Sequence, residues 1–530
     1  MMASRLLINA NVYTVNPHQP RAAAIAIVGN RILAVGDEDA VASLASPAAR
    51  REDLEGAFVL PGLIDAHVHL MQTGFAMQRV NLDGAPDVNE AVKRVRKRAM
   101  QTTPGTWIQG WGWQQAMWGG EFPTAQQLDA ATTAHPVALR AKSGHALWVN
   151  TLALRLAGIT GQTASPPGGE IVRDAHGEPS GVFLEAAMDL ITRHIPPPTP
   201  AEEEEATLLA MRAMNRAGLT GVHCMDGKGG IGSFRAYQRL REAGRSTLRV
   251  CKQLPAEDLA AIIGAGLRSG FGDPWLRIGG VKIFADGALG PRTAWMIAPY
   301  EGEPDNVGIA LYSAEALAAL VRQAQANGLS VTVHAIGDRA NRVILDILEA
   351  QAGEAGPTHR PLRHRIEHAQ VLHPDDIPRF GRLGLIASVQ PIHATQDMHM
   401  VDRYWGARGR YAYAFRSLLN GGARLALGSD SPVETFDPLI GLHAAVTRQR
   451  RDGTPAEGWY PEQRLTIEEA IHGFTLGAAY AGYAEHELGA IEPGKLADLT
   501  VLSDDLTRIP PEAIPEVRVL RVMVDGEWVV

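Results

Sequence analysis

Eight apolar, β-branched runs recur along this chain, and most of the gaps between them hold an alanine- and leucine-rich stretch of helical length. The runs lie at 60–70, 219–226, 248–254, 278–285, 329–336, 364–370, 385–391 and 424–430, with helical stretches such as 314–327 and 375–383 between them and 439–450 after the last. Strands that alternate with helices call for a parallel sheet. Eight of them predict a closed (β/α)8 TIM-like barrel of the α/β class, over residues 60–484.

The two ends of the chain read differently. Residues 6–13, 23–28 and 31–35 are short β segments, with Gly29-Asn30 as a two-residue hairpin turn. Residues 498–502, 520–524 and 527–530 are β-like, and Asp525-Gly526 forms the last turn. Residues 1–59 and 485–530 are therefore expected to build one small β domain together.

The first gap in the alternation is the exception, because it is far longer than an ordinary βα loop. It holds Trp107, Trp111, Trp113, Trp118 and Trp148, half of the ten tryptophans. It ends in a marked helix start, with Thr199 as N-cap, Pro200 at the first helical position and glutamates in the first turn. We read 71–198 as a subdomain inserted over the barrel mouth, where it could form a lid.

Composition narrows the function classes. A net charge of −8 over 530 residues leaves no basic field for nucleic acid. No window approaches the ~18 uncharged apolar residues of a membrane span, so no membrane partner is expected. The opening MMASRLLINANVYTVNP lacks a long apolar core and reads as a strand. Two cysteines, Cys224 and Cys251, exclude a disulfide framework and fit a reducing compartment, so the expected location is the cytoplasm.

The chemistry begins in the first run, Leu60-Pro61-Gly62-Leu63-Ile64-Asp65-Ala66-His67-Val68-His69-Leu70. Strand side chains alternate faces, so His67 and His69 point the same way at the strand's C-terminal end. Two parallel imidazoles make a half-site for a transition metal; the plain alternative is a pair satisfied by hydrogen bonds in a polar mouth. Lys282, His334, His368 and Asp430 fall at or near the C-terminal ends of later runs, where catalytic groups of such barrels gather. Each alone could be a satisfied core group; their shared topological position argues for one mouth.

The order of these residues resembles the metal-dependent amidohydrolase superfamily. The phrases PGLIDAHVHL, SGHALWVN, KIFADGALGPRTA, VHAIGDRA, RIEHAQ and GSDSPV resemble its amidohydrolase-3 branch, the N-substituted formamide deformylase-like proteins. VGNRILAVG and LGAIEPGKLADLTVL extend the likeness to a terminal β-sandwich. The resemblance implies a divalent metal, zinc by expectation, as one or two ions. It implies His67, His69 and Asp430 on a first metal, His334 and His368 on a second, and Lys282 bridging as an N-carboxylated side chain. For Lys282 the alternative is an ordinary ion pair with Asp286.

The implied reaction is hydrolysis of a C–N amide bond by metal-activated hydroxide. The substrate would be a small N-substituted formamide or another N-acyl amine, and a homodimer is compatible with the fold. Asp430 would shuttle the proton, His145 would help polarise the carbonyl, and Trp113, Arg292 and Gln390 would line the substrate pocket. A deaminase of the same superfamily is the rival enzyme. Such enzymes usually carry a glutamate soon after the fifth-strand histidine, whereas His334 is followed by Ala335-Ile336-Gly337-Asp338. A barrel scaffold without catalysis is the rival from another class. Gly227-Lys228-Gly229-Gly230-Ile231-Gly232 fits a dinucleotide fingerprint, but the next strand ends in Lys252-Gln253-Leu254 where an acidic ribose ligand belongs. Cys224 beside His223 reads as a packed thiol rather than a nucleophile.

Overall fold

The computed structural model describes residues 2–142, 146–227, 232–351 and 361–530. It divides into two compact units, Met1–Thr73 with Glu204–Val530, and Gly74–Glu203. The larger unit is built round eight parallel strands in sequence order: β1 (Leu63–Val68), β2 (Leu219–Cys224), β3 (Arg249–Pro255), β4 (Leu276–Phe284), β5 (Ser330–Ala335), β6 (Arg365–His368), β7 (Ile386–Val389) and β8 (Arg424–Leu427). Every residue of β1, β2, β3, β6 and β7 is buried. A parallel sheet covered on both faces demands this, which is why these runs read as continuous apolar stretches rather than alternating ones.

The end strands β1 and β8 meet at their C-terminal edge. There the Asp430 N–H donates to His67 O at 2.7 Å and the His69 N–H donates to Ser431 O at 2.7 Å. One Asp65 carboxylate oxygen accepts from the backbone N–H groups of both His67 and Ser429, each at 3.0 Å. Gly428 makes this approach possible: a Cβ there would lie 2.5 Å from His67 N and 2.6 Å from Asp65 Oδ1.

Strands from both ends of the chain share a six-stranded sheet, ordered Glu527–Trp528, Val519–Val524, Leu499–Leu502, Phe58–Pro61, Asn11–Tyr13, Arg21–Ala22. A four-stranded sheet of Arg31–Gly36, Ala24–Val28, Ala3–Ile8 and Ala45–Asp53 accompanies it. The segment read as one strand over 6–13 is two. Asn9 adopts a left-handed φ of 49°, breaking the strand so that its halves enter different sheets. The two-residue turn at Asp525-Gly526 has φ of 57° and 82°, the double left-handed form that suits a tight hairpin.

The barrel is tied to the terminal strands by a buried ion pair. Arg249 of β3 donates from Nε to Asp498 Oδ2 at 2.6 Å and from Nη2 to Asp498 Oδ1 at 2.8 Å, and it also reaches Asp525 at 2.9 Å.

The smaller unit has its own six-stranded sheet, ordered Gly169–Arg173, Pro179–Glu185, Ala146–Val149, Val137–Ala141, Ile108–Trp113, Val80–Asn81. Trp113, Trp118 and Trp148 pack against one another in its core, with ring centroids 6.0–6.3 Å apart. Among the described residues, no helix is long and apolar enough to cross a membrane.

Arg249→Ala leaves the buried Asp498 without its bidentate partner. We expect a loss of about 3–5 kcal/mol, measured as a lower urea midpoint. An unchanged midpoint would show that the ion pair does not hold the barrel to the terminal sheet.

Candidate metal centre

The C-terminal edge of the barrel encloses a cavity of about 320 Å³ whose wall includes His67, His69, Lys282, His334, His368 and Asp430. The six side chains singled out as metal ligands from sequence thus converge on one space. Asp430 sits at its hub. Its Oδ1 is 3.3 Å from the Nε2 atoms of both His67 and His69, and its Oδ2 is 3.3 Å from His393 Nε2. Ligand atoms of His67, His368 and Asp430 all lie within 4.8 Å of one another. The His368 ring is 4.9 Å from that of His67 and 4.7 Å from that of His334, centroid to centroid.

Backbone geometry explains how neighbours on one strand both reach this space. Glu367 and His368 are consecutive, so strand alternation would send them to opposite faces. His368 ends β6 with a left-handed φ of 69°, which breaks the alternation. Asp430 lies beyond β8 with a φ of 63°. Left-handed non-glycine residues carry a cost of order 1–3 kcal/mol and cluster where a site over-determines the backbone.

Three of the histidines have one nitrogen committed and one facing the cavity. The His67 Nδ1–H donates to Glu367 Oε2 at 2.6 Å, and the His368 Nδ1–H donates to Gln390 Oε1 at 2.8 Å. His334 Nε2–H donates to the carbonyl of Gly287 at 2.9 Å. Burial, helped by the Lys282 charge, pushes His334 down to about 3, and burial holds His368 well below its ordinary value. Both rings are therefore neutral, the form that binds metal. Burial would raise the Asp430 carboxyl, but the imidazoles of His67, His393 and His69 around it hold it well below the usual range. Imidazoles gathered round a carboxylate, with the second nitrogens of His67, His334 and His368 fixed by acceptors, are the donor set of a divalent ion. The residues fit the group.

Lys282 is buried, and burial pushes its ammonium down to about 8 in spite of Glu367 and Asp430. It makes no ion pair among the described residues; its Nζ lies 4.9 Å from the Phe284 ring centroid. Asp286, the alternative partner, is taken up by the backbone N–H groups of Ile336, Gly337 and Trp295 at 2.8–3.0 Å.

The other candidates fall elsewhere. Gln390 is buried behind His368 and orients it, so it is not part of the cavity wall. Arg292 pairs with Glu303 and lies over the Tyr404 ring at 5.5 Å, outside the residues that line the cavity. Trp113 has no exposed surface; its indole N–H donates to Leu139 O at 2.7 Å within the core of the smaller unit. His145 and Lys228–Ile231 of the glycine-rich stretch lie outside the described residues. Cys224 is buried beside Tyr237 and Asp226, and burial pushes its thiol up to about 12, which removes it as a nucleophile.

Sequence reading missed His393, which lines the cavity from the helix Pro391–Tyr404 just after β7. Its signal was a histidine three residues beyond Gln390 at a strand end. Asp397 and Glu434 also line the cavity. Tyr413 Oη–H donates to Asp397 Oδ2 at 2.5 Å.

The sequence model described as "Amidohydrolase family" matches residues 51–530. N-substituted formamide deformylase of Arthrobacter pascens is 31% identical over 99% of this chain and 98% of its own length. Putative amidohydrolase YtcJ of Bacillus subtilis is 32% identical over 98% of each, and Protein LONG AFTER FAR-RED 3 of Arabidopsis thaliana is 36% identical over 95% of this chain and 88% of its own. Among solved structures, an uncharacterized metal-dependent hydrolase from Pyrococcus furiosus superposes with a TM-score of 0.80 at 29% identity, covering 95% of this chain and 100% of that one. The chain belongs to the amidohydrolase family, in its amidohydrolase-3 branch. It is a metal-dependent hydrolase acting on carbon–nitrogen bonds, and its cofactor is a divalent metal.

His67→Ala and His69→Ala should each lose most bound metal, because each removes an imidazole facing Asp430. Metal content after gel filtration checks this, and full occupancy in either variant would remove that residue from the ligand set.

Proposed function

We propose that the chain hydrolyses the amide bond of an N-substituted formamide or another N-acyl amine, with zinc as its metal. The observation that carries this reading is Asp430, a buried carboxylate facing three imidazole Nε2 atoms at the wall of one small cavity. The formamide is suggested by the name of a relative that matches nearly end to end. His67, His69 and Asp430 would hold one ion and His334 and His368 a second, with Lys282 bridging them as a carbamate. When bound, the ion supplies Lewis acidity toward the amide carbonyl and acidifies water to a pKa of about 7.

The chain's own groups do the rest. Asp430 is acceptor-only in its ionised form, so a carboxylate oxygen can take the proton of the attacking water and return it to the leaving nitrogen. His393 Nε2–H steadies Asp430 through Oδ2. Phe284, Leu289, Ile336 and Val433 give the cavity an apolar wall that limits competing water. Asp338, the first acid after His334, is directed away: its carboxylate accepts the Ile297 N–H at 2.7 Å. It therefore cannot replace the glutamate of a deaminase, which disfavours that reading.

The test is a screen of N-substituted formamides and N-acyl amines with metal-reconstituted protein. Equal release of carboxylic acid and primary amine supports the reading. Ammonia from a ring amidine, with no amide cleaved, would overturn it.

Asp430→Asn should lower turnover per bound metal ion by ~10²–10⁴-fold, since an amide oxygen can coordinate but cannot carry the proton. Turnover per ion near that of the wild type would refute the shuttle. Lys282→Ala should lose activity and recover part of it with short carboxylic acids, whose carboxylate can occupy the bridge. The intact wild-type protein should show the extra mass of CO2 in native mass spectrometry, and an unmodified lysine in fully metallated protein would contradict the carbamate.

A further inference from the structure

Arg365 and Glu367 are two residues apart on β6, so both point into the barrel, and both are buried to within about 1% of complete. Arg365 Nε donates to Glu367 Oε1 at 2.8 Å. Its Nη2 donates to Ala66 O on β1 and to Ser388 Oγ on β7, each at 2.7 Å, and its Nη1 donates to His223 Nδ1 on β2 at 2.7 Å. One guanidinium thus joins four strands. The other carboxylate oxygen of Glu367 accepts from His67 Nδ1 at 2.6 Å.

A buried ion pair is a poor way to stabilise a core, since desolvation of both charges offsets their attraction and an apolar pair of equal volume often does as well. Its geometry, however, is well suited to fixing an imidazole. The carboxylate accepts only, so it selects the proton on His67 Nδ1 and leaves Nε2, on the cavity side, as the nitrogen for a metal. The planar guanidinium prevents the carboxylate from turning.

We propose that Arg365 and Glu367 form a positioning pair that sets the tautomer and ring plane of His67 for metal binding. The proposal rests on the reading of His67 as a ligand. Gln390 serves His368 in the same way with a neutral amide, whose Nε2–H donates to Ser388 O at 3.3 Å. Ser388 therefore touches both supports, by its hydroxyl and by its carbonyl.

Glu367→Gln keeps the side-chain volume and removes the charge. Its metal dissociation constant, measured by chelator competition, should rise by ~10–100-fold, and the visible spectrum of the Co(II)-loaded variant should differ from that of the wild type. A purely structural role would lower the unfolding midpoint and leave the spectrum of the folded fraction unchanged. Wild-type affinity and spectrum in Glu367→Gln, with metal lost from His67→Ala, would overturn the pair alone. Metal retained by His67→Ala would overturn the ligand reading beneath it. Should Glu367→Gln fail to fold, ¹⁵N-histidine NMR of metal-free wild-type protein decides. A far-downfield proton on His67 Nδ1 supports the pair, and an Nδ1 without a proton refutes it.

Discussion

The hydrogen bonds from Asp430 N–H to His67 O and from His69 N–H to Ser431 O are the constraint on which the rest depends. They bring the first and last barrel strands together, and the residues that make them carry three of the candidate metal ligands. Closing the barrel and gathering the site are therefore one event. Strands that are far apart in sequence, β1 and β8, could not present His67 and His69 each within 3.3 Å of Asp430 without that seam. Gly428 and Asp65 are part of the same requirement: one permits the close approach, and the other occupies the backbone N–H groups it exposes.

Placing this much charge in a barrel demands that each group be matched. Glu367 and Asp430 stay ionised because Arg365 and the imidazoles around them outweigh burial. His334 and His368 respond in the opposite way and stay neutral. Asp65 and Asp286 have only backbone or hydroxyl donors, and burial pushes both up to about 7. The result is a graded interior, with carboxylates held low where cations and imidazoles face them and pushed up where they do not.

The barrel was legible because its strands are buried along their whole length, which leaves unbroken apolar runs such as LTGVHCMD. The six candidate ligands were legible for a related reason: each lies at the edge of such a run, where topology gathers side chains. What strand alternation hid was harder to read. Glu367 beside His368 looks like one motif, yet only the left-handed backbone at His368 lets both face inward. His393 sits in a helix with no strand register, so periodicity gave it no weight. Gln390 and Trp113 have residue types common in pockets, but their roles depend on partners on neighbouring strands, His368 for one and Leu139 for the other. Nothing local distinguishes a tryptophan packed in a core from one that faces a ligand.

The account is tested most directly by locating the metal itself. Anomalous diffraction from zinc-loaded crystals, collected on both sides of the zinc absorption edge, should place a peak within ~2.0–2.2 Å of His67 Nε2 and an Asp430 carboxylate oxygen. Occupancy by zinc at any other group of side chains, with the space between His67, His69 and Asp430 free of anomalous density, would contradict it.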